Sequence, residues 1–79
     1  MKGVRITTKS GSVYELYRAE GKFSKVDPAT EEVLDTGPVL NKEFPMPKAG
    51  EPLEIWTTHP TKPFRVIITA PMVRGAVIQ

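Results

Sequence analysis

Proline and glycine recur at short intervals through all 79 residues, 8 of the first and 6 of the second. A proline inside a helix costs ~3 kcal/mol and a glycine about 1 kcal/mol, so this punctuation excludes a long helix. The residues between the breaks suit pleated backbone instead. Val, Ile and Thr supply 21 residues and the aromatics 6 more, whereas Ala and Leu number only 5 and 4. Side chains branched at Cβ or carrying rings pack well on a half-buried sheet surface, so short strands joined by turns are predicted. A chain of this mass buries about 60% of the surface it exposes when unfolded, enough for one small core. No cysteine is present, so neither a disulfide nor a thiolate metal site can reinforce that core, and the composition fits a reducing compartment. No apolar run approaches the ~20 residues that span a bilayer, and no signal-peptide core follows Lys2, so no membrane association is expected.

Period-two alternation places the strands. Val4 and Ile6 alternate with Arg5 and Thr7, predicting a half-buried strand over residues 2–8. After the Lys9-Ser10-Gly11-Ser12 turn, residues 12–18 return with Tyr14 and Leu16 on the buried face and Val13, Glu15 and Tyr17 on the other. A second hairpin is predicted from residues 22–26, around Phe23, and residues 31–36, around Val33 and Leu34. Its turn is Asp27-Pro28-Ala29-Thr30, in which Asp bonds its own backbone and Pro presets φ. Residues 37–52 contain Pro38, Pro45, Pro47 and Pro52, which exclude a central strand and favour extended backbone. Val39, Leu40, Phe44 and Met46 lie among them, predicting a strap across the open side of the core. Residues 53–58 and 64–70 form two further strands. Val66-Ile67-Ile68 is apolar on both faces and is expected to be the most buried segment. Met72 to Ile78 is expected to be an edge strand with Gly75 as a bend or bulge. The predicted fold is all-β: a small antiparallel barrel or sandwich of about six short strands with a proline-rich strap. It forms one domain, with two hairpins over 2–36, the strap over 37–52 and C-terminal strands over 53–79.

Few chemistries are supplied. His59 is the one histidine, and its place before Pro60 predicts a solvated loop residue. Zinc needs several His or Cys ligands, and nucleophilic catalysis needs a nucleophile, a base and an orienting group. Glu31, Glu32 and Asp35 are the densest acids, but successive strand residues point to opposite faces and a solvated hairpin is expected there. No enzyme activity, metal or cofactor is expected.

Charge is distributed unevenly. Residues 1–26 carry a net +4, residues 27–54 a net −5 and residues 55–79 a net +3. If the first and last strands meet, one side of the molecule becomes basic and the other acidic, a bipolar surface for a partner; chance segregation in a short chain is the other reading. Basic residues also neighbour aromatic ones, as in single-strand nucleic-acid binders, although so few aromatics are ordinarily spent on the core. The candidate interaction surface comprises Arg5, Tyr17, Arg18, Lys25, Trp56, Arg65 and Arg74.

The opening Val4-Arg5-Ile6-Thr7-Thr8-Lys9-Ser10-Gly11-Ser12-Val13-Tyr14-Glu15-Leu16 resembles the start of small all-β proteins encoded by actinobacteriophages, with a basic strand, a Ser-Gly-Ser turn and a Tyr-Glu-Leu strand. Ile68-Thr69-Ala70-Pro71-Met72-Val73 is similar to a Thr-Ser-Pro-Val-like segment near their end. Here Ala70 replaces the serine, Met72 intervenes before Val73, and Arg74-Gly75-Ala76-Val77-Ile78-Gln79 stands where those proteins carry an acidic tail. The resemblance covers about 25 residues at the two ends. It implies a phage accessory product acting in the host cytoplasm and transfers no active-site residue.

These readings together lead to a non-enzymatic protein that binds a host or phage protein. A nucleic-acid-binding small barrel and a virion or assembly component are the alternatives, and a ligand pocket between subunits is a further one. Self-association is also expected, because Met72 to Ile78 has Arg74 as its one charge. Unpaired apolar edges are normally covered or charged in soluble proteins. Pairing it with a second copy would bury a further ~400 Å² of apolar surface per chain, whereas closing it against Val4 and Ile6 in a barrel would leave a monomer.

Overall fold

In the computed structural model, which describes residues 2–79, alternation and turn chemistry produce seven strands and no helix. β1 (Gly3–Thr8) and β2 (Val13–Tyr17) form the first hairpin, and β3 (Lys22–Val26) and β4 (Val33–Pro38) the second. β5 (Glu54–Thr57) pairs with β6 (Arg65–Ile68), and β7 (Met72–Ile78) returns to β1. The result is a five-stranded antiparallel sheet, β4-β3-β2-β1-β7, and a separate two-stranded sheet, β5-β6. The first and last strands do meet, but the sheet stays open: β4 and β7 are its two edges rather than the seam of a closed barrel.

Register explains the core. Ile6 faces Tyr14, Val4 faces Leu16, and Leu16 faces Phe23 across the three central strands. Their side chains meet Leu53 and Ile55 of the other layer and Met72, with Val4, Val39, Phe44 and Ile67 packed around them. The irregular segment between β4 and β5 thus contributes Val39 and Phe44 to the core, whereas Leu40 and Met46 remain exposed. Pro38 is the last residue of β4 rather than the start of that segment. As an edge position, it removes no hydrogen bond from the middle of the sheet.

Layer contact requires a glycine. A Cβ on Gly37 would lie 2.6 Å from the Thr57 hydroxyl, so any side chain there would separate β4 from β5. An ion pair ties the same layers together, with Arg65 donating to Asp35 at 2.8 Å and to the Thr58 carbonyl at 2.9 Å.

Several expectations need correction. Val66-Ile67-Ile68 is not the most buried segment: Ile67 packs inward, but Val66 is 39% and Ile68 70% exposed. β6 belongs to a two-stranded layer with only one face on the core, so two of its three apolar side chains, Val66 and Ile68, are left on the outer face. Val33 and Leu34 are also exposed, because β4 is an edge. Val13 and Glu15 are buried as well as Tyr14 and Leu16, since the turn between β3 and β4 leans over the sheet's second face. The radius of gyration, 11.8 Å, matches the ~11.6 Å expected for this length. The surface of 5237 Å² nevertheless exceeds the roughly 4,800 Å² expected for the mass. The excess reflects open edges and uncovered apolar residues rather than an extended shape.

Candidate interaction surface

The face of the large sheet turned away from β5-β6 holds a polar network. Alternation brings Arg5 opposite Glu15 and puts Tyr17 on the same side. Arg5 donates to Glu15 at 2.6 and 2.9 Å, and the Tyr17 hydroxyl donates to the other Glu15 oxygen at 2.7 Å. The remaining guanidinium hydrogens reach Glu31 at 2.6 and 3.1 Å. The β3–β4 turn makes this possible. Asp27 accepts from the amides of Ala29 and Thr30 through its side chain, and the Glu31 amide donates to the Asp27 carbonyl. Glu31 then adopts φ 63°, an uncommon conformation for a side-chain-bearing residue, and delivers its carboxylate to Arg5. Glu31 and Glu32 therefore lie between the turn and β4 rather than in a strand, and both are exposed, with Glu31 held in an ion pair to Arg5 at the surface.

The electrostatics follow from these contacts. Hydrogen bonds to Glu31 and then Glu15 raise the Arg5 guanidinium above its ordinary value. Burial pushes the Glu15 carboxyl up, but hydrogen bonds from Tyr17 and Arg5, with the Arg5 charge, outweigh it and hold the group below the usual carboxylate range. Burial first, then the bond to Glu15, pushes the Tyr17 phenol up to about 12. Arg65 is raised by its hydrogen bond to Asp35. Basic segments 1–26 and 55–79 thus each place an arginine against an acid of segment 27–54. Part of the charge segregation along the chain is consumed in folding.

The seven candidate residues do not form one surface. Arg5, Tyr17 and Arg74 share the polar face, where Arg5, Arg74, Pro28 and Glu31 border a shallow pocket of about 270 Å³. The Lys25 ammonium lies 5.7 Å from the Tyr14 ring on the opposite face. Arg65 spans the two layers, and Arg18 sits 5.0 Å over Phe44 while contacting the Met46 sulfur. Trp56 is on the outer face of β5, stacked on Phe64 with centroids 4.8 Å apart and its indole N–H on Glu54. His59 is a half-buried loop residue whose Nδ1 accepts from the amides of Thr61 and Lys62, so it organises the β5–β6 connection. No group of three His, Asp or Glu residues that could hold a metal occurs among the described residues, and no helix is long and apolar enough to cross a membrane.

The most open region is one that alternation alone does not reveal. Trp56 directs its amide to the Asn41 side-chain carbonyl and its carbonyl to the Leu40 amide, both away from β6. Asn41 also donates to the Glu54 carbonyl. One asparagine side chain therefore imitates a neighbouring strand and closes the outer edge of β5. Because Trp56 opposes Val66 and Glu54 opposes Ile68, these are the non-hydrogen-bonded pairs of the ladder. Val66 and Ile68 consequently direct both N–H and C=O outward from β6, and no other segment among the described residues pairs there. Their side chains lie on the outer face beside Trp56 and Phe64. The sequence signal existed, an apolar run on both faces, but it also fits a fully buried strand. Asn41 carried no signal, since its role depends on the fold of residues 39–53.

No protein-family model matches the sequence, and no curated protein or solved structure is significantly similar to it.

Proposed function

We propose that the protein is a non-enzymatic interaction module that adds an extended segment of a host or phage protein to the free edge of β6. One observation carries this reading. Val66 and Ile68 present unpaired backbone groups at an edge while their side chains, with Trp56 and Phe64, offer an apolar face. Strand addition uses that combination: backbone bonds give affinity, and alternate side chains give selectivity. The phage and host-cytoplasm assignments rest on the resemblance of the two ends alone. Nucleic-acid binding has weaker support, because Arg5 and Arg65 already hold carboxylates and the remaining candidate cations lie on different faces.

Selection from a library of short extended peptides, followed by titration calorimetry, tests the proposal. Sequences with alternating apolar residues are expected to be enriched, and their affinity is expected to fall at least tenfold in Ile68→Lys, whose melting curve should be unchanged. Equal binding by Ile68→Lys would overturn it. So would tight single-stranded DNA or RNA binding that falls steeply with salt, the mark of phosphate neutralisation, in the absence of peptide binding.

A further inference from the structure

We propose that β7 pairs edge to edge with β7 of a second copy, antiparallel, about a two-fold axis passing at Ala76. The direction of each backbone group follows from two hydrogen bonds. Thr8 donates to Ser12 on the β2 side, and Lys9 donates to Pro71 on the β7 side. Sides alternate along a strand, so Gly3, Arg5 and Thr7 face β7, bonding to Ile78, Ala76 and Arg74. Val77 and Gly75, opposite Val4 and Ile6, direct their N–H and C=O to the free edge. At Met72 the same edge is already closed, by Gly50 donating to its carbonyl and its amide donating to Glu51.

These constraints select one register. With the axis at Ala76, Gly75 of each chain faces Val77 of the other, and every open residue within β7 meets an open residue. An axis at Gly75 would set Val77 against the bulged Val73 and Ile78 against the closed edge at Met72; an axis at Val77 would leave Gly75 opposite Gln79, outside the strand. The side chains agree with this choice. Val77, 71% exposed, comes beside the bare Gly75 of the other copy, where a Cβ position lies 3.6 Å from the Met72 sulfur and 3.9 Å from Ile6. The partner's valine thus gains an apolar notch that a side chain at residue 75 would fill. The charges are compatible: Arg74 falls opposite Ile78, and the two arginines are separated by roughly 14 Å along the strand pair, beyond the ~8 Å Debye length. The interface is isologous, so the pairing ends with two chains. With ~400 Å² of apolar area contributed by each chain, about 800 Å² for the pair, the interface is at the small end for a specific complex, and a dimer that forms only with rising concentration is expected.

Because the chain contains no cysteine, single cysteines report the register directly. A non-hydrogen-bonded pair brings two Cα atoms to about 4.5 Å, within disulfide range, whereas the diagonal Val77–Val77 separation of about 7–8 Å lies outside it. Under mild oxidation Ala76→Cys is expected to cross-link at least tenfold faster than Val77→Cys. Light scattering on the unmodified chain should show a mass rising from one chain to two with concentration, and Val77→Lys should remain at one chain with an unchanged circular dichroism spectrum. Ile68→Lys should still dimerise, which separates this edge from that of β6. A mass of one chain at every concentration, or Val77→Cys cross-linking as fast as Ala76→Cys, would overturn the proposal.

Discussion

Tyr17, Glu15 and Arg5 show how three side chains on one face set each other's protonation. The Tyr17 phenol, raised from 10.0 to about 12 by burial and by its bond to Glu15, stabilises the fold fully below pH 10.0. That contribution is lost as the pH rises through about 12, because the unfolded chain releases the proton first. Glu15 acts in the opposite sense: its lowered carboxyl stabilises the fold above the ordinary value of 4.5 and ceases to do so as the pH falls through the folded-state value. Tyrosinate absorbance should reveal an ionisation near pH 12 that disappears in Tyr17→Phe. Completion of the Tyr17 ionisation by about pH 11 would show that burial and the bond to Glu15 do not hold its proton. Thr57 presents a different situation, a fully buried hydroxyl with no hydrogen-bond partner against Gly37. An unsatisfied buried hydroxyl costs ~1–3 kcal/mol, so Thr57→Val is expected to stabilise the chain by about 1 kcal/mol. Gly37→Ala should destabilise it by ~2 kcal/mol through overpacking at the same contact. Urea melts measure both. A loss of stability in Thr57→Val would mean that the hydroxyl is satisfied.

At the scale of elements, alternation decided what could be read in advance. β1, β2 and β3 were legible because Val4, Ile6, Tyr14, Leu16 and Phe23 recur at period two between clear turns, and the Asp27-Pro28 turn announced the second hairpin. Nothing local indicated that the turn would carry Glu31 to Arg5, 26 residues away. Nor could alternation distinguish a strand buried on both faces from one left apolar on an outer layer, which is why β6 was misplaced. The edges are managed unequally. Asn41 covers β5 with two side-chain hydrogen bonds, residues 49–51 cover the start of β7, and the rest of β7 and all of β6 remain open. Asn41→Ala is expected to lower stability by about 1 kcal/mol and to speed hydrogen exchange of the Trp56 amide. An unchanged Trp56 exchange rate would show that the asparagine does not act as a substitute strand.

On the scale of the whole molecule, a five-stranded sheet faces a two-stranded layer too small to close it. Of the two expected all-β architectures, barrel or sandwich, the closed barrel is the one not formed: β7 reaches β1, but β4 has no strand to meet, and residues 39–53 fill the gap with irregular backbone. The uncovered apolar residues and outward-facing backbone groups are the consequence, and both functional proposals depend on them. Residue-resolved amide exchange of the folded chain at low micromolar concentration tests this most directly. Exchange should alternate along two strands: slow at Ile67, Arg74 and Ala76, whose amides face a neighbouring strand, and fast at Val66, Ile68, Gly75 and Val77, whose amides face solvent. Uniform protection along β6 and β7 at that dilution would mean that the edges are closed, contradicting the open-sheet account.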